Sequence, residues 1–161
     1  MSFNNQVYQH NKESDMLKRI EKYCADNELR FKDVHDDYST GIDIWIGRRC
    51  YDIKASESKK LTILKTLPNG TTYKPHETHL DVPYLYCLPS TGYCYRINKQ
   101  EIIDYIKFLK STGKLDIFLS EYTGDGNKNI CIDIGQLLFM KEPYIKLSGD
   151  NPWNILNFKL A

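Results

Sequence analysis

Asp43, Asp52 and Lys54 are the residues of this chain whose types and spacing could do chemistry. They fall within Gly41-Ile-Asp-Ile-Trp-Ile-Gly-Arg-Arg-Cys-Tyr-Asp-Ile-Lys-Ala-Ser56. Two runs of alternating side chains flank a glycine, and a polar member of each run is acidic. Two carboxylates on one face of a hairpin can hold a divalent cation. An ammonium beside them can orient a water or help to deprotonate it. The chemistry implied is metal-assisted hydrolysis of a phosphodiester.

Such a site needs a particular hairpin. Side chains alternate in a strand. Ile42, Ile44 and Ile46 therefore point one way and Asp43 and Trp45 the other. In the second run Tyr51, Ile53 and Ala55 oppose Asp52, Lys54 and Ser56. A two-residue Gly47-Arg48 turn pairs Ile46 with Arg49 and sets Asp43 across from Asp52. Opposed Cβ atoms then lie roughly 5 Å apart. Bare carboxylates that close repel unless a cation or a shared proton offsets them. A three-residue loop would put the two aspartates on opposite faces. The ordinary alternative is a solvated hairpin face carrying Asp and Lys. Against it, Ile-Asp-Ile and Tyr-Asp-Ile-Lys set each charge between apolar neighbours, at the border of a core.

The stretch resembles the core of the PD-(D/E)XK nuclease superfamily, the restriction-endonuclease-like fold. Its "Gly-x-Asp" followed by "apolar-Asp-x-Lys-x-Ser" is similar to Holliday-junction resolvases and to intron-associated or phage homing nucleases. Asp43 stands at the first acidic position, Asp52 at the second and Lys54 at the motif lysine. Ile42 stands where the family name has proline. The resemblance covers roughly residues 13–100 and is specific over 41–56. It implies an α+β fold with an α/β-type core, a mixed central β-sheet flanked by helices. It implies Mg²⁺ as cofactor, with Mn²⁺ able to substitute, and DNA as substrate, less often RNA. Asp43, Asp52 and the Ile53 carbonyl would ligate the metal. The superfamily often adds a glutamate from its first helix. Glu13 is the first choice because it continues the 13-17-20-24 line, and Glu21 borders that line. An acid in a first turn also simply favours the helix dipole.

Composition neither announces nor forbids this function. The chain has 161 residues, which suits one domain with a real core. Its 22 basic and 21 acidic residues leave a net charge of +1, so no global field attracts nucleic acid. Locally, Arg48, Arg49, Lys54, Lys59, Lys60 and Lys65 face only Asp52 and Glu57 in sequence. Arg48, Arg49, Ser56, Lys59 and Lys60 are therefore the candidate contacts to a phosphate backbone. An ordinary lysine-bearing strand surface is the other reading. Twelve tyrosines are many, and most should fill strand faces and cores, with Tyr38 and Tyr51 nearest the motif. Five scattered cysteines without a Cys-x-x-Cys pair suggest reduced thiols in a cytoplasmic protein. His76 and His79 lack the frame of a zinc site and read as a polar loop. No apolar run reads as a signal peptide or reaches membrane length.

Along the chain, residues 1–11 read as a loose polar arm. Asn11 or Ser14 could then cap a helix to about Asn27, with Leu17, Ile20 and Cys24 as its stripe. Arg30 to Val34 reads as a strand, followed by an acidic loop with Asp33, Asp36 and Asp37. Residues 57–81 fit a short helix or a second hairpin. The β-branched Thr62, Ile63 and Thr66 and the Pro68-Asn69-Gly70 turn favour the hairpin. That departs from the usual αβββαβ order of the superfamily. Val82 to Leu88 and Tyr93 to Ile97 read as strands. Asn98 should cap a helix with Ile102, Ile103, Ile106, Phe108 and Leu109 on its core stripe, ended by Gly113. Ile117 to Tyr122 and Asn129 to Ile134 read as strands, and Trp153 as an anchor of the C-terminal segment. No linker is evident, so one domain is expected, with a homodimer conceivable by analogy.

The expectation is a Mg²⁺-dependent DNA endonuclease. An RNA-directed nuclease, a non-catalytic nucleic-acid-binding module on the same fold, and a small interaction protein are its rivals.

Overall fold

Met16, Ile20 and Cys24 recur every fourth residue and wind one buried stripe along α1 (Ser2–Asp26). The computed structural model describes residues 2–35 (side chains from Glu13), 39–124 and 126–147. Helix α1 begins at Ser2, so Asn11 and Ser14 lie inside it and are not its caps. Residues 2–11, read as part of a loose arm, are its first turns. Asp36, Asp37, Tyr38 and Trp153 lie outside the described residues.

The chain then forms β1 (Phe31–Asp33), β2 (Ile44–Ile46) and β3 (Arg49–Ala55). A hairpin of β4 (Lys60–Thr66) and β5 (Thr72–Tyr73) follows, then a 3₁₀ turn at Pro75–Glu77. Next come β6 (Tyr84–Leu88), β7 (Tyr93–Ile97) and α2 (Lys99–Ser111). The described chain closes with α3 (Leu115–Phe118), β8 (Leu119–Gly124), β9 (Asn127–Asp133), α4 (Gly135–Phe139) and β10 (Ile145–Lys146). The fold is α+β.

Six strands form a mixed sheet in the order β1-β2-β3-β6-β7-β10, with β3 and β6 parallel. Four strands form an antiparallel sheet in the order β5-β4-β9-β8. The parallel pair therefore encloses a β excursion. The β4–β5 hairpin stands where the resemblance places a helix, as the β-branched residues indicate.

Two cores follow from strand alternation. Ile44, Tyr51, Ile53 and Ala55 pack with Met16, Ile20 and Cys24 of α1 on one face of the mixed sheet. Tyr84, Tyr86 and Leu88 point the other way, onto Ile102 and Leu109 of α2 and Leu61 and Ile132 of the second sheet. Each fully buried isoleucine among them contributes about 1.5–3 kcal/mol. Ile42 precedes β2 and lines a cleft, so the alternation begins one residue later than expected.

Helix α2 starts and stops as its sequence dictates. The Glu101 carboxylate accepts the Asn98 N–H at 2.8 Å. At the other end Gly113 takes φ +72°. Lys114 N–H then reaches the Leu109 carbonyl and Gly113 N–H the Lys110 carbonyl, a Schellman closure. Phe108, expected in the core stripe, is exposed. Ile117 and Phe118 belong to α3 and not to a strand. No helix among the described residues is long and apolar enough to cross a membrane. All five cysteines are free thiols.

Candidate functional site

Gly47 turns the β2–β3 hairpin in two residues with φ +60°, and Ile46 pairs with Arg49. Arg48 keeps an ordinary φ, so glycine alone carries the left-handed conformation, as in a type II′ turn. The regular register ends at Ile44↔Tyr51, and the Asp43 N–H donates to that same Tyr51 carbonyl at 2.9 Å, one residue out of step as in a bulge. The ladder therefore does not pair Asp43 with Asp52, yet both line one cleft and their carboxyls come within hydrogen-bonding reach. Beyond Asp43 the flank of β3 has no β2 partner. The Ile53 N–H donates instead to the Asp43 carboxylate at 2.7 Å. The N–H and C=O of one strand residue point to the same flank. The Ile53 carbonyl is therefore directed to the side that holds Asp43.

These residues lie in a cleft of about 900 Å³ between the two sheets. The Lys54 Nζ is 3.5 Å from Asp52 Oδ1, with 41% of the lysine side chain exposed. The Lys99 Nζ is 3.9 Å from Asp52 Oδ2, and its side chain is 1% exposed. Two cations thus flank Asp52, while Asp43 has a backbone N–H and the neighbouring acid. Burial pushes the Asp43 carboxyl up to about 7, helped by the negative Asp52 within hydrogen-bonding reach. Asp52 holds Lys54 firmly in its charged form. Burial lowers the Lys99 ammonium against the pull of Asp52.

Lys99 was not expected. A lysine at the first residue of a helix opposes the helix dipole. Here it serves a tertiary purpose. Its Nζ donates to the Thr78 carbonyl at 2.9 Å and the His79 carbonyl at 3.2 Å, and lies 5.1 Å from the Tyr84 ring centroid. His79 takes φ 49°, an uncommon left-handed conformation that this ammonium helps to hold. Lys99→Met strands both carbonyls and removes a counter-charge from Asp52. It should cost about 1–3 kcal/mol in chemical denaturation, and an unchanged midpoint would contradict this role.

Gly41 is explained by the same loop. It has φ +70°, and a Cβ there would meet the His79 ring at 2.5 Å. Gly41→Ala is expected to lose more than about 1 kcal/mol of stability, measured as a lowered unfolding midpoint, with Gly70→Ala as a sterically open comparison.

The other expected residues divide. Glu13 lines the cleft and acts electrostatically on Lys54, whereas Glu21 is exposed elsewhere on α1. The three carboxylates do not converge, and among the described residues no three His, Cys, Asp or Glu side chains form a metal cage. Ser56 and Lys60 line the cleft. The Ser56 hydroxyl is engaged with Ser58 at 2.8 Å and holds the β3–β4 turn. Arg48, Arg49 and Lys59 are not among the cleft residues. Arg49 shares the strand face of Tyr51 and reaches the Tyr144 hydroxyl at 3.5 Å, away from the aspartates. The Lys59 carbonyl takes the Ile134 N–H at 2.8 Å, a turn contact. His76 is buried, contrary to a polar-loop reading, and burial lowers its ring pKa. Asp33 pairs with His35 at the end of β1.

A metal has to fit what is present. Mg²⁺ keeps several waters and binds through one or two carboxylates, whereas a structural zinc site wants four protein ligands. Two aspartates and a carbonyl fit the first description. No protein-family model, curated protein or solved structure matches the chain.

Proposed function

We propose that the chain is a Mg²⁺-dependent endonuclease that hydrolyses DNA phosphodiester bonds. The observation that supports this most is the meeting of Asp43 and Asp52 in one cleft, close enough to compete for a proton, with Lys54 beside them. Asp43, Asp52 and the Ile53 carbonyl would hold the ion. Bound there, it would acidify a water and offset charge on the scissile phosphate. As a ligand Asp43 would be ionised, its proton released to solvent. Lys54 stays protonated, so its part is to orient the water and stabilise negative charge on the pentacovalent phosphorus. Lys99 fixes Asp52 from the other side. The choice of DNA over RNA rests on the resemblance to PD-(D/E)XK nucleases.

A non-catalytic nucleic-acid-binding module is the second reading. The Lys99 ammonium favours it, because it supplies Asp52 with a cation that is not a metal. One experiment separates the two. Plasmid, linear and branched DNA, and an RNA of matching sequence, are incubated with the full chain in Mg²⁺ or in EDTA. Mg²⁺-dependent cleavage of DNA supports the nuclease. Intact substrate with tight, salt-sensitive binding supports the module.

A further inference from the structure

The four-stranded sheet has an apolar and a polar face, and its register sorts them. Leu61, Ile132 and Leu119 form one cross-strand row directed into the second core. Tyr73, Lys65, Asn129 and Tyr122 form another row, one residue from each of β5, β4, β9 and β8. Thr62, Cys131 and Ser120 form the next row on that same side. All seven line the cleft that holds Asp43 and Asp52, as does Lys60.

Strict alternation would not give this face. Thr62 and Lys65 are three apart and should point oppositely. The register shift between Thr62 and Leu64 corrects this and turns Lys65 into the cleft. Bulges re-aim side chains in this way and recur beside functional sites. Tyr73 and Tyr122 keep 39% and 40% of their surface exposed at the two ends of the row. Three strand spacings separate them, about 14 Å at ~4.8 Å each. Glu121, also in the cleft, is paired with Lys128 at 3.6 Å.

Exposed rings spaced along a cleft wall, with an ammonium between them, suit stacked bases and a phosphate. Lys60 and Lys65, facing a candidate phosphodiester centre, select a polyanion over a peptide or a glycan. Paired bases in a duplex hide their ring faces, so a single strand is the matching partner. We infer that the Tyr73-Lys65-Asn129-Tyr122 row is a platform for single-stranded nucleic acid that leads the strand to Asp43 and Asp52. The inference deepens the nuclease reading and rests on it for the choice of polyanion.

The test uses the full chain in EDTA and fluorescence anisotropy with a short labelled oligodeoxynucleotide, single-stranded or annealed to its complement. The single strand should bind more tightly. Tyr73→Ala and Tyr122→Ala should each weaken it roughly 5- to 100-fold. Phenylalanine at either position should restore it, and Lys107→Ala on the exposed side of α2 should leave it unchanged. Unaltered binding by both alanine variants, or a preference for duplex, overturns the platform. Mg²⁺-dependent duplex cleavage that survives both substitutions keeps the nuclease and removes the platform. Tyrosine-dependent single-strand binding without cleavage keeps the platform and removes the nuclease.

Discussion

Lys54→Ala should lower Mg²⁺-dependent DNA cleavage by roughly 10²–10³-fold while the fold stays intact, the loss expected for one donor to transition-state charge. The side chain is 41% exposed, so its removal leaves no sizeable cavity. Asp52 lies beside it and keeps it charged, which rules against a neutral base at moderate pH. A group that acts on developing charge lowers kcat and leaves KM nearly unchanged. Lys54→Arg keeps the charge but replaces a compact ammonium with a planar fork, so rescue should be partial. Asp52→Asn should be at least as damaging to cleavage, and it also removes the carboxylate beside the buried Lys99. Single-turnover rates with thermal unfolding of each variant make the comparison. Full activity in Lys54→Ala would end the proposed role of the lysine.

What was legible in the sequence was local. Period-two alternation around Gly47 marks the hairpin and its even turn, but not the irregularity that takes Asp43 out of step at Tyr51 and still leaves its carboxyl beside Asp52. Asn98, Glu101 and Gly113 marked both ends of α2. Arg49 lies with Tyr51 and Ile53, where parity places it, and reaches Tyr144 outside the cleft. The first turns of α1 carry only Phe3, Val7 and Tyr8 among polar residues, too short a stripe to mark a helix by periodicity. Ile117 and Phe118 continue an apolar run into β8, so composition hid the short helix before it. Lys99 was beyond local reasoning. It meets Asp52 because β6 lies parallel to β3 and the β6–β7 hairpin delivers α2 to the same cleft. The tyrosine row was more remote still. It needs β5-β4-β9-β8 order and a bulge near Ile63, which join residues some sixty positions apart.

The Asp43 carboxyl gives the other large effect, because its pKa makes metal binding and stability depend on pH in a stated direction. Folding raises it from 3.8 to about 7, through burial first and Asp52 second. A raised carboxyl stabilises the folded state fully below the lower value. That contribution is lost as pH climbs toward the higher one, since the unfolded chain has already released its proton. Without metal, the protein should therefore lose stability between about pH 4 and pH 7 relative to Asp43→Asn, which has no proton to release. Other carboxylates titrate in both proteins, so the difference between the two curves isolates Asp43. Mg²⁺ should reverse the loss. It competes with the shared proton below about pH 7 and meets an ionised pair above it. Its thermal shift should then be larger at about pH 8 than at about pH 6, by roughly 2–4 °C for each kcal/mol of added binding energy. Asp43→Asn should show a small Mg²⁺ shift at both. Thermal unfolding in EDTA and in Mg²⁺ across this range reads every part of the argument. Parallel pH profiles for the two proteins, with equal Mg²⁺ shifts, would mean that the paired aspartates hold neither the shared proton nor the ion.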